Sequence, residues 1–145
     1  MDPAAFLEQG RTILDPVLVP HGFRFVPGDQ DVGSGGPYAQ AAYVRDGHRL
    51  SFSVRHTLGE VYYRVGDSEI AHEALMRVVA GGQRTAYPGF SADPLDGFRH
   101  LREDLERHGD VFLRTMDEDF HAFVEQSKRS LRTGFARLAD AEPGR

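Results

Sequence analysis

The chain has 145 residues, a length that suits one domain with a single hydrophobic core. Its formal net charge of −5 lacks the basic surplus of most nucleic-acid binders, so we predict no nucleic-acid partner and expect a basic protein instead. The absence of cysteine excludes disulfides, thiolate nucleophiles and cysteine-ligated zinc, and it fits a reducing compartment. The N-terminal residues do not resemble a signal peptide and no long apolar run occurs, so we predict a cytoplasmic protein with no membrane partner.

The first third of the chain predicts one helix and one short strand. Asp2 and Pro3 form a helix start, after which apolar residues recur at three- and four-residue steps. Pro16 is expected to end or kink this helix. Residues 23–26 are predicted to form a short strand. The glycine-rich segment 28–37 is predicted to be a flexible loop rather than a phosphate cradle, because a proline and a strand follow it instead of a helix start.

Residues 38–66 predict a three-stranded antiparallel meander, because their side chains sort onto two faces with a period of two. Two-residue turns are predicted at Asp46-Gly47 and at Leu58-Gly59. The resulting register puts Phe52 opposite Ala41 on one side and opposite Val65 on the other. The predicted apolar face carries Ala39, Ala41, Tyr43, Leu50, Phe52, Val54, His56, Val61, Tyr63 and Val65.

Three or four helices with apolar stripes are predicted after the sheet. The first is capped by Ser68 and stopped by Gly81-Gly82, and the second is capped by Asp93 and ended by His108-Gly109. A short helix follows at 110–114, and the longest helix is expected at about 116–138. A type II turn is expected at 87–90. Segregated strands and helices indicate a two-layer α+β fold, with a four-stranded antiparallel meander after an N-terminal helix. We predict a single domain over 1–140 and a frayed tail at 141–145.

Several stretches resemble a family of small uncharacterised bacterial proteins. They are Thr57-Leu58-Gly59 followed by Val61-Tyr62-Tyr63, YPGFSADPLDGF at 87–98, and LREDL at 101–105, and the likeness covers roughly residues 22–114. The order of helix, meander and helices is also similar to that of many immunity proteins that neutralise bacterial toxins. These resemblances imply a protein-binding role and supply no catalytic residues. Sixteen arginines against one lysine would suit a GC-rich bacterial genome.

Histidine and carboxylate spacings on the predicted helices raise the question of a metal site. Glu118, His121 and Glu125 have the spacing found in metal-binding helical bundles. Helical geometry places all three on the solvent side, away from the apolar stripe, so we predict no metal site. On similar grounds, we interpret four further residues as surface residues: His72, Glu73, His100 and Asp104.

A hydrolytic site would pair Ser53 with His56, and Glu60 would orient the histidine. Strand alternation puts Ser53 and His56 on opposite faces, so they cannot hydrogen-bond directly. We predict no catalytic residue and no cofactor. An alternative stays open: a small-molecule-binding domain or small enzyme whose site lies between sheet and helices, in a cavity lined by Tyr43, Tyr63 and His56.

The polar sheet face is the leading candidate for a functional site. The predicted register places Tyr38, Arg55 and Tyr62 side by side, with Gln40, Ser53 and Arg64 in the next row. Tyrosine and arginine are enriched at binding hot spots, although cross-strand contacts between them also stabilise sheets that bind nothing. The N-terminal helix could also cover this face. We predict a non-enzymatic protein-binding domain, of the toxin-immunity type, whose binding residues are Tyr38, Gln40, Arg55, Tyr62 and Arg64.

Overall fold

The structure, a computed structural model, describes residues 3–33, 36–80, 93–114, 118–126 and 128–129. It confirms the α+β class, with an N-terminal helix, an antiparallel sheet and C-terminal helices. In chain order the elements are α1 Pro3–Leu18, a 3-10 turn Val19–His21, β1 Arg24–Gly33, β2 Gly36–Arg45, β3 His48–Val54, β4 Leu58–Val65, β5 Ser68–Ala71, α2 His72–Val79, α3 Asp96–His108, α4 Asp110–Leu113 and the helical residues 118–126, here α5. The strands follow one another across the sheet in sequence order.

The hairpin between β2 and β3 forms as predicted. Asp46 has a φ of 37° and Gly47 a φ of 81°, and positive φ at both central residues is the signature of the two-residue type I′ turn. This turn matches the right-handed twist of the strands and sets their register, in which Ala41 lies opposite Phe52. The predicted pairing of these two strands is confirmed.

The predicted register between β3 and β4 is wrong by four residues. Phe52 lies opposite Val61 rather than Val65, because the chain reverses through residues 55–57 and not at Leu58-Gly59. An even shift leaves strand residues on their predicted faces, since side chains alternate with a period of two. The shift nevertheless changes which residues are neighbours across the two strands.

The segment 28–37 was predicted to be a flexible loop, and this is wrong for most of its length. β1 extends to Gly33 and β2 begins at Gly36, so these residues pair as strands. Pro27 lies opposite Ala41, and the register shifts between Pro27 and Gln30, next to a proline that cannot donate to a sheet ladder. A partner strand thus orders a segment whose composition alone is typical of a loop.

The sheet has five strands where four were predicted. A turn at Gly66-Asp67 reverses the chain into β5, and Ser68 lies opposite Val65 instead of capping a helix. Gly66 has a positive φ of 59° and donates its N–H to the carbonyl of Gly47 at 3.1 Å. The helix α2 therefore begins only at His72.

Phe98 on α3 joins both long helices to the sheet. Its ring lies 5.5 Å from the Phe6 ring on α1 and 5.8 Å from the Phe52 ring on β3, measured between centroids. Gly10 makes this possible, since a Cβ at that position would overlap the Phe98 ring. Both helices therefore pack on one face of the sheet, which we call the inner face.

The helix boundaries agree with several predictions. α3 ends at His108 as expected, but it begins at Asp96 with Leu95 as its N-cap residue, so the predicted cap at Asp93 is wrong by two residues. Asp93 instead accepts the N–H of Leu95 at 2.9 Å in the turn before the helix. Pro16 lies in the last turn of α1, which ends at Leu18. Outside the described residues lie the predicted Asp2 cap, the Gly81-Gly82 stop, the turn at 87–90, the ends of the longest helix and the tail at 141–145.

Tyr43 connects β2 to α1 through a partly buried polar contact. Its hydroxyl donates to the carboxylate of Asp15 at 2.6 Å, and Arg11 lies 3.4 Å from the same carboxylate group. Burial, reinforced by the hydrogen bond to Asp15, raises the pKa of Tyr43 far above its usual range. The folded protein therefore holds the Tyr43 proton well into the alkaline range.

Replacing Tyr43 by Phe should cost about 1.5–3 kcal/mol at neutral pH, the usual contribution of a hydrogen bond to a charged group. The raised pKa means that the unfolded chain releases this proton first, above about pH 10, so the stabilisation is complete below that pH and is lost above it. Urea denaturation of parent and Tyr43→Phe at several pH values should show a gap that narrows as the pH rises past 10. A constant gap would contradict this account.

Candidate functional site

All five predicted binding residues lie on the face of the sheet opposite the helices, the outer face, or in the turn beside it. Tyr38 and Gln40 come from β2, Tyr62 and Arg64 from β4, and Arg55 from the turn at its edge. Gln40, Arg55 and Arg64 are exposed, and the two tyrosines are half-buried. Because α1 and α3 pack on the inner face, neither covers this surface.

The predicted rows of binding residues are wrong in detail. Tyr38 and Arg55 do meet, with the guanidinium carbon 5.8 Å from the centre of the tyrosine ring. Tyr62, however, lies opposite Ser51, and Arg64 lies opposite Arg49, because of the four-residue shift of β4. The predicted residues therefore divide between two ends of the outer face.

Each end of the outer face forms an open hollow. The first has a volume of about 530 Å³ and is lined by residues that include Tyr38, Gln40, Ser53, Arg55 and Glu60. The second has a volume of about 570 Å³ and is lined by residues that include Arg24, Arg49 and Arg64. Sites for small molecules are usually enclosed and mostly apolar, whereas these hollows are open and rich in charge. Their shape and chemistry suit a broad polar partner.

Tyr62 stands between the two hollows and is held by its neighbour on the same strand. Its hydroxyl donates to Glu60 Oε2 at 2.7 Å. This hydrogen bond, together with the negative charge of Glu60, raises the pKa of Tyr62. The phenol therefore remains neutral at physiological pH, and its ring is presented in one orientation.

A buried polar network on the inner face was missed from the sequence. Tyr63 Oη lies 2.6 Å from His72 Nδ1, and His72 Nε2 lies 2.9 Å from Asp104 Oδ2. His72 and Asp104 are each only 1% exposed, so the prediction that they are surface residues is wrong. The network joins β4, α2 and α3. Because its side chains are buried, an external substrate cannot contact them.

The sequence contained a signal for this network. Asp104 follows Leu101 by three residues, which places it about 60° from that leucine around the helix and thus beside the apolar stripe. His72 continues the inward alternation of Ser68 and Ile70, but this becomes visible only when β5 is recognised as a strand. A polar residue beside a stripe is buried when another element supplies its partner.

Replacing Asp104 by Ala should destabilise the protein by about 3–5 kcal/mol, because the buried imidazole of His72 then loses its carboxylate partner and keeps only the contact with Tyr63. The matched control is Glu106→Ala on the same helix, where an exposed pair with Arg102 at 2.7 Å should contribute at most about 1 kcal/mol. Urea denaturation of both variants measures the difference. Equal losses would mean that the buried contact has no special weight.

Two histidines that the sequence offered as catalytic or metal-binding candidates are exposed. His56 lies exposed in the turn 55–57, not on the apolar face as predicted. His121 on α5 is exposed, and its Nδ1 lies 2.6 Å from the hydroxyl of Ser68, a contact that ties α5 to the edge strand. Within the described ranges, no group of three histidine or carboxylate side chains is arranged to hold a metal ion.

Comparison with known proteins assigns no family to the chain. A scan against protein-family models and searches of curated proteins and of solved structures find no match to the chain. Among the described helices, none has the length and apolar character needed to cross a membrane. The outer face of the sheet is therefore the only basis for a functional proposal in the described part of the chain.

Proposed function

We propose that the protein is a non-enzymatic binding domain whose outer sheet face recognises another protein. The observation that carries this proposal is an antiparallel sheet face that none of the described helices covers, on which Tyr38 and Arg55 are in contact and Tyr62 is hydrogen-bonded to Glu60. Tyrosine and arginine recur at interface hot spots because they combine large contact area with a polar or charged tip. An open face gives a partner protein room to cover them.

The arrangement of the inner face also supports a binding role over the alternative of a ligand site between sheet and helices. Tyr43 and Tyr63, which were expected to line such a cavity, are both 0% exposed. The Tyr63 ring packs edge-on against Phe112 at 4.9 Å, and the Tyr43 ring packs against Phe52 at 6.3 Å. His56, the third expected residue, lies elsewhere in an exposed turn. Both tyrosine rings are therefore packed within the core.

The finer part of the proposal is a bacterial immunity protein that acts in the cytoplasm. It is supported by the resemblance in the order of helix, meander and helices and by the lack of cysteine. In this role the outer face would bind a toxin and block it by covering it. The proposal requires no chemistry from any residue of this chain.

The test separates a binding surface from a merely stable sheet face. A partner captured from the organism that encodes the protein would be titrated by calorimetry against the parent, Arg55→Ala and Tyr62→Ala. Either truncation should cost about 0.2–1 kcal/mol of folding stability but at least about 2 kcal/mol of binding free energy if it removes a hot spot.

The matched control is Arg107→Ala on α3, the helix that packs on the inner face, where the exposed guanidinium lies 2.9 Å from Glu103. This variant should bind as tightly as the parent. If the captured partner also binds both outer-face variants with unchanged affinity, the outer face is structural and the proposal fails.

A further inference from the structure

A row of arginines crosses the outer face at the end near the Asp46-Gly47 turn. The strand pairings align Arg24, Val44, Arg49, Arg64 and Glu69 across all five strands. Arg24, Arg49 and Arg64 are all exposed. We call these three residues the arginine row.

The arginine row is unfavourable for the sheet by itself. Arg49 and Arg64 are direct cross-strand partners, and like charges placed opposite each other destabilise a sheet. Arg64 Nε donates to the carbonyl of Gly66 at 3.0 Å, and Glu69 lies on its other side. Within the described residues, Arg24 and Arg49 form no ion pair. A local conflict of this kind is expected where a residue serves a function rather than stability.

Arginines on α3 are paired with carboxylates, unlike those of the arginine row. On α3, Arg99 lies 2.8 Å from Asp93 and Arg102 lies 2.7 Å from Glu106. Arg45, next to the row along β2, donates to the carbonyls of His21 and Leu113 at 2.7 and 2.8 Å. The three cations of the arginine row line one hollow of the outer face, where Asp46 is the only carboxylate side chain among the lining residues.

We propose that the arginine row binds carboxylates of an acidic segment on the partner protein. This inference rests on the proposed function, because it assigns the chemistry of one end of the same surface. Guanidinium groups pair with carboxylates through two parallel hydrogen bonds, and such pairs are more specific than contacts to a point charge. Two opposed arginines on neighbouring strands would share one acidic segment and lose their mutual repulsion when it binds.

The local charge thus differs in sign from that of the whole chain. The net charge of −5 predicted a basic partner, since long-range attraction follows total charge. Contact chemistry follows the residues at the interface, and here those are cationic. The overall negative charge, with Glu60 and Glu69 on the same face, disfavours a polyanion such as nucleic acid, whose dense charge would approach all of them.

The first test uses hexaglutamate as the probe and the amide and arginine Nε–H signals of the ¹⁵N-labelled protein as the readout. Hexaglutamate should shift the signals of Arg24, Arg49 and Arg64 and leave those of Arg99 and Arg102 unchanged. The double variant Arg49→Gln, Arg64→Gln should bind it at least about tenfold more weakly. The control Arg107→Gln should bind it like the parent.

Stability provides a second readout, because it excludes unfolding as the cause of lost binding. Removing opposed like charges should leave the melting temperature of the double variant equal to or above that of the parent. The inference is overturned if hexaglutamate shifts no signal of the row, if the double variant binds it as well as the parent, or if a short single-stranded DNA binds the row more tightly than hexaglutamate does.

A last comparison separates this inference from the function on which it rests. With the captured partner, Arg49→Glu should weaken binding at least about tenfold and make the remaining affinity less sensitive to salt. If Tyr62→Ala abolishes binding and Arg49→Glu does not change it, the outer face binds protein but the assignment of the arginine row is wrong. If Arg49→Glu, Arg55→Ala and Tyr62→Ala all leave the affinity unchanged, the proposed function fails as well.

Discussion

The contact between Phe98 and Gly10 is the constraint on which the rest of the structure depends. It lets α1 and α3 approach closely enough for one aromatic ring to fill the space between two helices and the sheet. Because Phe98 also packs against Phe6, both helices are committed to the same side of the sheet. The described helices therefore cover one face of the sheet and leave the outer face open, and the proposed function depends on this arrangement.

Two polar contacts give this apolar core a defined arrangement. The hydrogen bond from Tyr43 to Asp15 fixes α1 against β2, and the chain of contacts from Tyr63 through His72 to Asp104 fixes α2 and α3 against β4. Apolar packing tolerates sliding more readily than a hydrogen bond does, because the bond is lost over a fraction of an ångström. A buried polar group that loses its partner carries the full cost of desolvation. These contacts thus restrict how the helices can sit on the sheet.

The outer face combines features that stabilise the sheet with features that do not. The pairing of Tyr38 with Arg55 and of Tyr62 with Glu60 provides favourable local contacts. The opposition of Arg49 and Arg64 does the reverse, and no carboxylate in the described part of the chain forms an ion pair with either arginine. In the proposed function, one end of this surface would offer aromatic contact area and the other would offer charge. An interface needs both, since area contributes affinity and charge contributes orientation.

The amino-acid sequence determined what depends on neighbours along the chain. Period-two alternation and the Asp46-Gly47 turn were sufficient to predict the pairing of β2 with β3, and the composition of the polar face was evident from the same alternation. Tertiary structure decided what depends on a partner distant in sequence: the strand character of 28–33, the existence of β5, and the burial of Asp104 by a histidine from another element. It also decided which outer-face residues meet, because the chain reverses at residues 55–57 rather than at 58–59, and this places Arg64 opposite Arg49. Local patterns specify which face a side chain occupies, whereas register and burial follow from the whole set of packed elements, whose contact energies exceed local preferences.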